Sequence, residues 1–501
     1  MPGKAIQICG TGSDVGKSII AAGLCRIFLQ DGYTVAPFKS QNMSLNSYVT
    51  HDAKEIARSQ VVQAQASRIE PDVNMNPILL KPTNDMGSQV VLMGKPIGNM
   101  HAREYEINKK KFLQIVQKSL DKLRDEYEIV VIEGAGSPAE INLKENDIVN
   151  LKMAEYADAP VILIGDIDKG GVFAWLIGTL ALLTEQEKKR VKGLIINKFR
   201  GDISLLQSGL DFLEEYTGIK VLGVLPYFKD INIAQEDSVF LDKYQVKKVE
   251  SEKVIRIAVI KLPQLSNFTD FEPFFLEPDV QLSFVAQAEK LNDSDVIIIP
   301  GSKNTIKDLK FLKDTGLAAK IQMIMQNSEN TKLIGICGGY QMLGQMIQDN
   351  NNIESDTKEI AGLGYIPMQT KINPKKTLNR INAKHFNSGK NIFGYEIHHG
   401  ESTFTEKVNA LFEIVEKNGE KIVYKEGFLS NDGSIMGSYI HGLFDADDFR
   451  RYFINQVRTI KKYKPLSIMS SYNQDLEFDK LAKLLRENLD LKMLYKILNK
   501  K

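Results

Sequence analysis

Short apolar runs bounded by glycine, proline or charge recur through the first half of the chain: KAIQIC at Lys4–Cys9, YTVAPF at Tyr33–Phe38, EIVVIEG at Glu128–Gly134, PVILIGD at Pro160–Asp166, VKGLIINKF at Val191–Phe199 and KVLGVLPY at Lys220–Tyr227. Helix-length segments lie between most of them, for example Lys17–Gln30 and Lys109–Asp125. Strands alternating with helices predict an α/β fold on a parallel, doubly wound sheet. The polar stretch Leu241–Lys253 reads as a linker, after which a second α/β pattern begins. Its strands are carried by VIRIAVIKLP (Val254–Pro263), DVIIIPGSKNT (Asp295–Thr305), KLIGICGGYQMLG (Lys332–Gly344) and SIMGSYIHGLF (Ser434–Phe444). From Asp447 onward the pattern is helical, with LAKLLRENLDLKMLYKIL amphipathic at helical spacing. The expected organisation is a first domain over 1–235, a linker over 236–253 and a second doubly wound, mostly parallel-sheet domain over 254–446. A helical segment over 447–501 is expected to pack on the second domain. The run Gln348–Glu359 is expected to be a surface loop.

Composition narrows this picture without changing it. A chain of 501 residues suits two or three domains at roughly 100–200 residues each. Lys and Arg number 64 against 63 Asp and Glu, which argues against a nucleic-acid surface or a polybasic membrane surface. No run approaches the ~18 apolar residues of a membrane-spanning helix. The N-terminal MPGKAIQICGTG reads as a first strand rather than a leader. Cys9, Cys25 and Cys337 are far apart and form no CxxC pair, so neither disulfides nor structural zinc are expected. A reducing, cytoplasmic setting fits.

Between the first strand and the first helix lies CGTGSDVGKS, Cys9–Ser18. Glycines there let the backbone close around phosphate oxygens, while Lys17 and the helix N-terminus supply positive potential. The strict GxxxxGK[ST] pattern misses by one place, with Thr11 where its first glycine would fall and a glycine at Gly10. Strand, loop, Gly-Lys-Ser and helix nevertheless agree, so Thr11, Gly12, Ser13, Asp14, Val15, Gly16, Lys17 and Ser18 are expected to bind ATP. Ser18 is placed to ligate Mg²⁺. Glu133 ends a predicted strand at the carboxyl edge of the sheet, where ligands of open α/β sheets gather, and is expected to hold Mg²⁺ or its water. Asp166 and Asp168 end another strand; one of them is expected to face the site, and which one stays open. Lys39 and Asp147 are assigned to phosphate or substrate. The loop is similar to the dethiobiotin synthetase type, GT-x-x-x-VGK[ST], and that resemblance adds Asp52 as a third Mg²⁺ candidate.

In the second domain, Cys337 falls where the apolar strand TKLIGI meets the helix start GYQMLGQMI. A thiol at such a junction has its thiolate stabilised by free backbone N–H groups, whereas Cys9 and Cys25 read as small buried hydrophobes. A thiolate nucleophile needs a base, and His441 is the best placed of six histidines. An oxyanion hole can come from the backbone of Gly301 and Ser302, after another strand, together with Gly338. Cysteine elbow, PG-loop and late histidine together resemble a class I glutamine amidotransferase domain. In that family a glutamate two residues after the histidine orients it; here the position is Leu443, and Glu396 is the candidate replacement. His398 and His399 point to opposite faces of a strand and are read as structural or substrate-facing, not as a metal pair.

A closer resemblance covers the chain from its N-terminus to His441. The segments PFKSQNMSLNS, QAQASRIEPDVNMNPILLKP, EGAGSPAEINL, GDIDKGGVFA, INKFRGD, PGSKNT, GICGGYQMLG and GYEIH are similar, in order and spacing, to the signature segments of the cobyric acid synthase family. One departure is HDAKEIARSQ (His51–Gln60), with Ala53 and Lys54 where that family has glycines. The resemblance implies a P-loop NTPase-like, dethiobiotin synthetase-like domain followed by an amidotransferase domain. It implies glutamine, ATP and a corrinoid as reactants, Mg²⁺ as cofactor, and amidation of the b, d, e and g carboxylates of adenosylcobyrinic acid a,c-diamide. Two other readings stay open: the related a,c-diamide synthase activity, and a P-loop switch protein with an inactive amidotransferase module.

Overall fold

The six apolar runs of the first half become six strands of one sheet, in the order Val221–Pro226, Val191–Phe199, Val161–Asp166, Lys4–Gly10, Ile129–Glu133 and Val35–Phe38. Every neighbouring pair is parallel. The protein is described by a computed structural model that covers residues 2–84, 87–228, 230–233, 253–468 and 470–499. Strand Ile129–Glu133 is buried at every position, as expected of a sheet covered on both faces. Each such Ile, Leu or Val contributes roughly 1.5–3 kcal/mol by leaving water. The helix Lys17–Gln30 follows the central strand directly, which sets the loop 11–16 at the carboxyl edge of the sheet.

The described residues divide into two compact units, the first from Met1–Ser44, Glu55–Glu236 and Asn473–Lys501, the second from Leu45–Lys54 and Asp237–Tyr472. Two sequence expectations are corrected here. The helical segment 447–501 does not stay together on the second unit. Helix Asp447–Ile460 does belong there, held by buried ion pairs of Arg450 with Glu277 (2.7 Å) and of Arg451 and Arg458 with Asp279 (3.0 and 2.8 Å). Helices Gln474–Asn488 and Leu491–Asn499 instead join the first unit, where Phe478, Leu481, Leu485, Leu494 and Ile497 share a core with Ile20, Leu24 and Ile27. Gly23 makes room for them, since a Cβ there would lie 2.3 Å from Leu485 Cδ1. An amphipathic stripe announces that a face is buried but not which partner buries it.

The second correction concerns Leu45–Lys54, which lies within the expected first domain yet belongs to the second unit. Asn46 accepts a hydrogen bond from the Phe268 N–H (3.2 Å), Asn267 accepts one from the Ser47 N–H (3.0 Å), and Tyr48 packs edge-on against Tyr395. The linker expected over 236–253 lies, apart from Lys253, outside the described residues.

The second unit carries its own sheet, in the order Val280–Val285, Ile255–Ile260, Val296–Ile299, Lys332–Ile336, Ile435–Ser438 and Phe428–Leu429, parallel except at the last pair. Beside it stands a largely antiparallel sheet built on the long strands Met368–His385 and Asn391–Phe404. The first unit likewise has a small additional sheet from Gln41–Met43, Ile78–Asn84, Gly87–Leu92 and Lys95–His101. Neither addition was anticipated, because their polar-rich strands give weak alternation.

Candidate active site

In the first unit the backbone of the phosphate loop takes positive φ at Asp14 (59°) and Gly16 (104°). Side chains brace it from behind. Asn197 donates to the Val15 carbonyl (2.9 Å), and Lys198 donates to the Asp14 carbonyl and to Asp166 (2.9 Å). Asp166 is buried while Asp168 turns outward to Arg200, so Asp166 is the member of that pair beside the loop. Lys17 arches over the loop and donates to the carbonyls of Gly12 (2.8 Å) and Gly136 (3.1 Å).

Glu133 is fully buried at the end of its strand and gathers donors. Ser18 Oγ donates to it at 2.7 Å, Lys39 Nζ at 2.9 Å, and Gln63 Nε2 also donates. Lys39 thus sits beside the phosphate loop as the ion-pair partner of Glu133. Among the described residues, no cluster of three or more His, Cys, Asp or Glu side chains is arranged for a metal. One carboxylate and one hydroxyl 2.7 Å apart nevertheless suit Mg²⁺, which takes few protein oxygens and completes its shell with phosphate and water. Among the described residues, the buried Thr11 hydroxyl in the same loop has no hydrogen-bond partner.

Two candidates stand apart. Asp52 belongs to the segment that joins the second unit, and its half-exposed carboxylate is taken up by Thr50 (2.6 Å) and Lys54 (2.6 Å). Asp147 accepts from the backbone N–H groups of Val149, Asn150 and Lys152, so its carboxylate caps the turn leading into helix Leu151–Tyr156. It also lines a cavity of about 1060 Å³ that Gly136, Ser137 and Asn150 share. Cys9 and Cys25 are buried, and burial pushes both thiols up to about 12.

In the second unit the strand Lys332–Ile336 runs into Cys337, whose φ of 53° and ψ of −108° are a conformation that side chains other than glycine rarely adopt. The Cys337 N–H is held by the Ser438 carbonyl (2.8 Å). The helix that follows, Gly338–Leu343, is only six residues long, because Gly344 turns extended against Met368. Two glycines permit close approach. A Cβ on Gly338 would lie 2.9 Å from the Ser302 backbone nitrogen, and one on Gly301 would lie 3.0 Å from His441 Cε1. Gly301, Ser302, Gly338, Cys337 and His441 are therefore brought together. The Ser302 hydroxyl donates to buried Asp308 (2.6 Å), which fixes the loop with its N–H groups uncommitted to that side chain.

His441 is completely buried, and its Nδ1 lies 2.7 Å from Asp270 Oδ2. The other Asp270 oxygen accepts the Gly442 N–H at 2.9 Å. Tyr395 stacks on the imidazole at 5.3 Å. Nε2 has no hydrogen-bond partner among the described residues. Burial works against the imidazolium, but the Asp270 carboxylate and the Cys337 sulfur outweigh it, and the ring is raised to about 10. Asp270 answers the question left by Leu443, which lies in the core. Glu396 does not orient His441: its carboxylate accepts from Asn379 (2.7 Å) on the neighbouring strand. Asp270 sits in FTDFEPFF among buried phenylalanines, and an acid in so apolar a run must be paired, which is the signal that could have found it. His398 stacks on Tyr439 and donates to or accepts from no carboxylate in the described contacts; burial lowers it to about 4. His399 faces the Asn373 carbonyl.

Comparison with known proteins agrees with both halves. Residues 6–239 match the CobQ/CobB/MinD/ParA nucleotide binding domain, and residues 256–449 match the CobB/CobQ-like glutamine amidotransferase domain. The chain is 50% identical over 500 residues to a cobyric acid synthase of Clostridium botulinum (strain Loch Maree / Type A3), covering 99% of each chain. It is 47% identical to that of Streptococcus sanguinis (strain SK36), again over 99% of each, and 48% identical to that of Clostridium kluyveri, over 99% of this chain and 98% of the relative. The chain belongs to the cobyric acid synthase family.

Proposed function

We propose that the protein uses glutamine and ATP to amidate the b, d, e and g carboxylates of adenosylcobyrinic acid a,c-diamide, giving adenosylcobyric acid. The observation that carries the glutaminase half is the buried Nε2 of His441, without a hydrogen-bond partner among the described residues, on a ring clamped at Nδ1 by Asp270. The end-to-end likeness to cobyric acid synthases supports the acceptor and favours it over the a,c-diamide synthase reading.

Cys337 is the nucleophile. Its thiolate attacks the side-chain amide carbon of glutamine, and the N–H groups of Ser302 and Gly338 receive the oxyanion. The His441 imidazolium gives its Nε2 proton to the departing nitrogen, and ammonia leaves a thioester on Cys337. Water then attacks the thioester, His441 takes its proton, and glutamate is released. Asp270 stabilises the imidazolium and holds the tautomer throughout.

In the first unit an acceptor carboxylate oxygen takes the γ-phosphoryl group of ATP, forming an acyl phosphate and ADP. Ammonia adds to the acyl carbon, inorganic phosphate departs, and loss of a proton leaves the primary amide. Lys17 and the loop N–H groups neutralise phosphate charge. Mg²⁺, when bound, is held by Ser18 and Glu133 and supplies further charge neutralisation on the phosphates. The cavity lined by Gly136, Ser137 and Asn150 is large enough for a bulky acceptor.

The test is a mass-spectrometric time course with glutamine, MgATP and adenosylcobyrinic acid a,c-diamide, run beside Cys337→Ser. Successive mass steps of single amidations are expected in the wild type. The variant loses them with glutamine and regains them with ammonia. Glutamine consumption without any amidated corrinoid would overturn the acceptor assignment.

A further inference from the structure

The glutaminase centre contains one buried carboxyl group that the mechanism above does not use. Glu426 ends the strand Glu420–Glu426 and is buried behind the strand Ile435–Ser438. Its Oε1 accepts the Tyr439 N–H at 2.8 Å, and its Oε2 accepts the Ser438 hydroxyl at 2.9 Å. Ser438 Oγ in turn accepts the Ile440 N–H at 3.1 Å. One carboxyl group therefore ties down three consecutive residues, Ser438, Tyr439 and Ile440. This short stretch carries the machinery from both ends. The Ser438 carbonyl receives the Cys337 N–H at the strained elbow, and His441 follows Ile440 directly.

Strand pairing holds the two ends of this stretch, Ser438 opposite Ile336, and Ile440 and His441 opposite Glu396 and Tyr395, while Glu426 takes the Tyr439 N–H and the Ser438 hydroxyl between them. The Tyr439 hydroxyl reaches Gln341 (3.2 Å) and Ser402 (2.5 Å), which anchors the side chain, while its backbone N–H goes to Glu426. The elbow needs such an anchor, because a left-handed Cys337 persists only where its surroundings over-determine it. We propose that Glu426 is a positioning residue of the glutaminase centre, setting the Cys337 amide and the His441 ring relative to each other through the Ser438–His441 stretch. The proposal rests on the glutaminase reading given above.

Protonation chemistry suggests which substitution should preserve the role. Burial raises the Glu426 carboxyl to about 8, against the opposing hydrogen bond from the Tyr439 N–H and with Glu396 adding to the rise; Tyr340 and Tyr424 are the other titratable groups that face it. A neutral acid offers one acceptor and one donor. A glutamine side chain keeps the acceptor for the Tyr439 N–H, and its amide N–H turns the Ser438 contact round, donating to Ser438 Oγ where the carboxylate accepts its hydroxyl.

The experiment compares wild type, Glu426→Gln and Glu426→Ala as full-length chains. It reads glutamine hydrolysis, ammonia-dependent amidation, and the fraction of Cys337 titrated by a thiol-alkylating glutamine analogue, to which the rates are normalised. Glu426→Ala should lower kcat for glutamine about 100-fold, the scale of a misplacement near 1 Å, with KM within about 3-fold. Ammonia-dependent amidation should stay at the wild-type rate, and Glu426→Gln should recover most of kcat. A purely structural role would instead lower the titratable fraction and leave the normalised kcat unchanged, which overturns the proposal. So does a Glu426→Gln variant as impaired as Glu426→Ala. If the wild type itself hydrolyses no glutamine, the glutaminase reading fails first, and that failure is visible without any variant.

Discussion

The nucleotide site of the first unit takes Thr11 through Ser18 from one strand–helix junction and adds the carboxylate of Glu133, bonded to Ser18. The glutaminase centre of the second unit draws Cys337, His441, Asp270 and the Gly301–Ser302 loop from four separate segments. The two also differ in how finished they are. Around Glu133 the donors Ser18, Lys39 and Gln63 crowd one carboxylate while the Thr11 hydroxyl has no partner among the described residues, an arrangement that nucleotide and cation would complete. Around His441 the ring Nδ1 and both Asp270 oxygens are already committed, while Nε2 has no hydrogen-bond partner among the described residues. A phosphate loop can rely on its ligand to organise it, because the ligand brings most of the charge. A glutaminase must be organised beforehand, because the charge in question appears only in the transition state.

The sharpest way to separate the two sites is to remove the thiolate. Cys337→Ser should lower glutamine-dependent amidation by at least about a thousandfold, as loss of a nucleophile does. Amidation from ammonia should remain within about twofold, since the thiol takes no part in the ATP-dependent step. Parallel assays with glutamine and with ammonium chloride check this. Equal loss with both nitrogen sources would mean the two sites are not separable in the way their construction implies.

The reciprocal change acts on the other side. Lys17→Ala should reduce amidation from either nitrogen source by about 100- to 1000-fold, because the developing phosphate charge loses its nearest cation. A chelator in excess of Mg²⁺ should have the same effect. Alkylation of Cys337 by a glutamine analogue should be unaffected in both cases, and its rate is the measurement that decides.

A more delicate change tests whether the four-segment centre depends on its least visible member. Asp270→Asn should cut glutamine turnover by about 100-fold or more, the direction seen whenever the orienting acid of a histidine is neutralised. The pH dependence should move with it. With Asp270 ionised, His441 keeps its proton through neutrality, its pKa being raised to about 10; once the carboxylate is replaced by an amide, burial prevails and the alkaline limb of the glutaminase profile shifts to lower pH. Stability follows the same sign. A raised folded-state pKa contributes stability that is full below the ordinary histidine value of about 6.5 and is lost as pH rises through about 10. Thermal melts at pH 6 and above pH 10 should therefore differ less in the variant than in the wild type.

The same contrast explains what could be read from the sequence. All six strands of the first parallel sheet were announced by apolar runs, and the phosphate loop by eight contiguous residues, because local pattern and local chemistry coincide there. Cys337, His441 and the PG-loop were legible because each follows a strand of the second sheet at its carboxyl edge. Asp270 was not, since nothing local to FTDFEPFF says that an imidazole from 171 residues away will meet it. Glu396 was the candidate replacement, yet strand pairing sets Glu396 opposite Ile440 and Tyr395 opposite His441. Asp52 was given its role by resemblance to another enzyme, and no local pattern says that its segment, Leu45–Lys54, belongs to the second unit. Pairing across long separations is decided by topology, which single residues do not encode.

The smallest of the expected effects concerns the C-terminal helices, where sequence named the buried face but assigned it to the wrong unit. Leu485 is fully buried, its Cδ1 seated over Gly23 in a core with Ile20, Leu24 and Ile27. Leu485→Ala should destabilise the first unit by about 2–5 kcal/mol, the usual cost of a leucine-sized cavity. Because the helix Lys17–Gln30 forms the floor of that cavity and also begins with the phosphate-loop lysine, the loss should reach function through the nucleotide site. Heating the variant should therefore abolish ammonia-dependent amidation at a lower temperature than in the wild type. The temperature at which Cys337 loses its reactivity toward a glutamine analogue should change little. If Cys337 reactivity instead collapsed together with amidation, the last two helices would be supporting the second unit after all, and the division of the chain at Tyr472 would have to be redrawn.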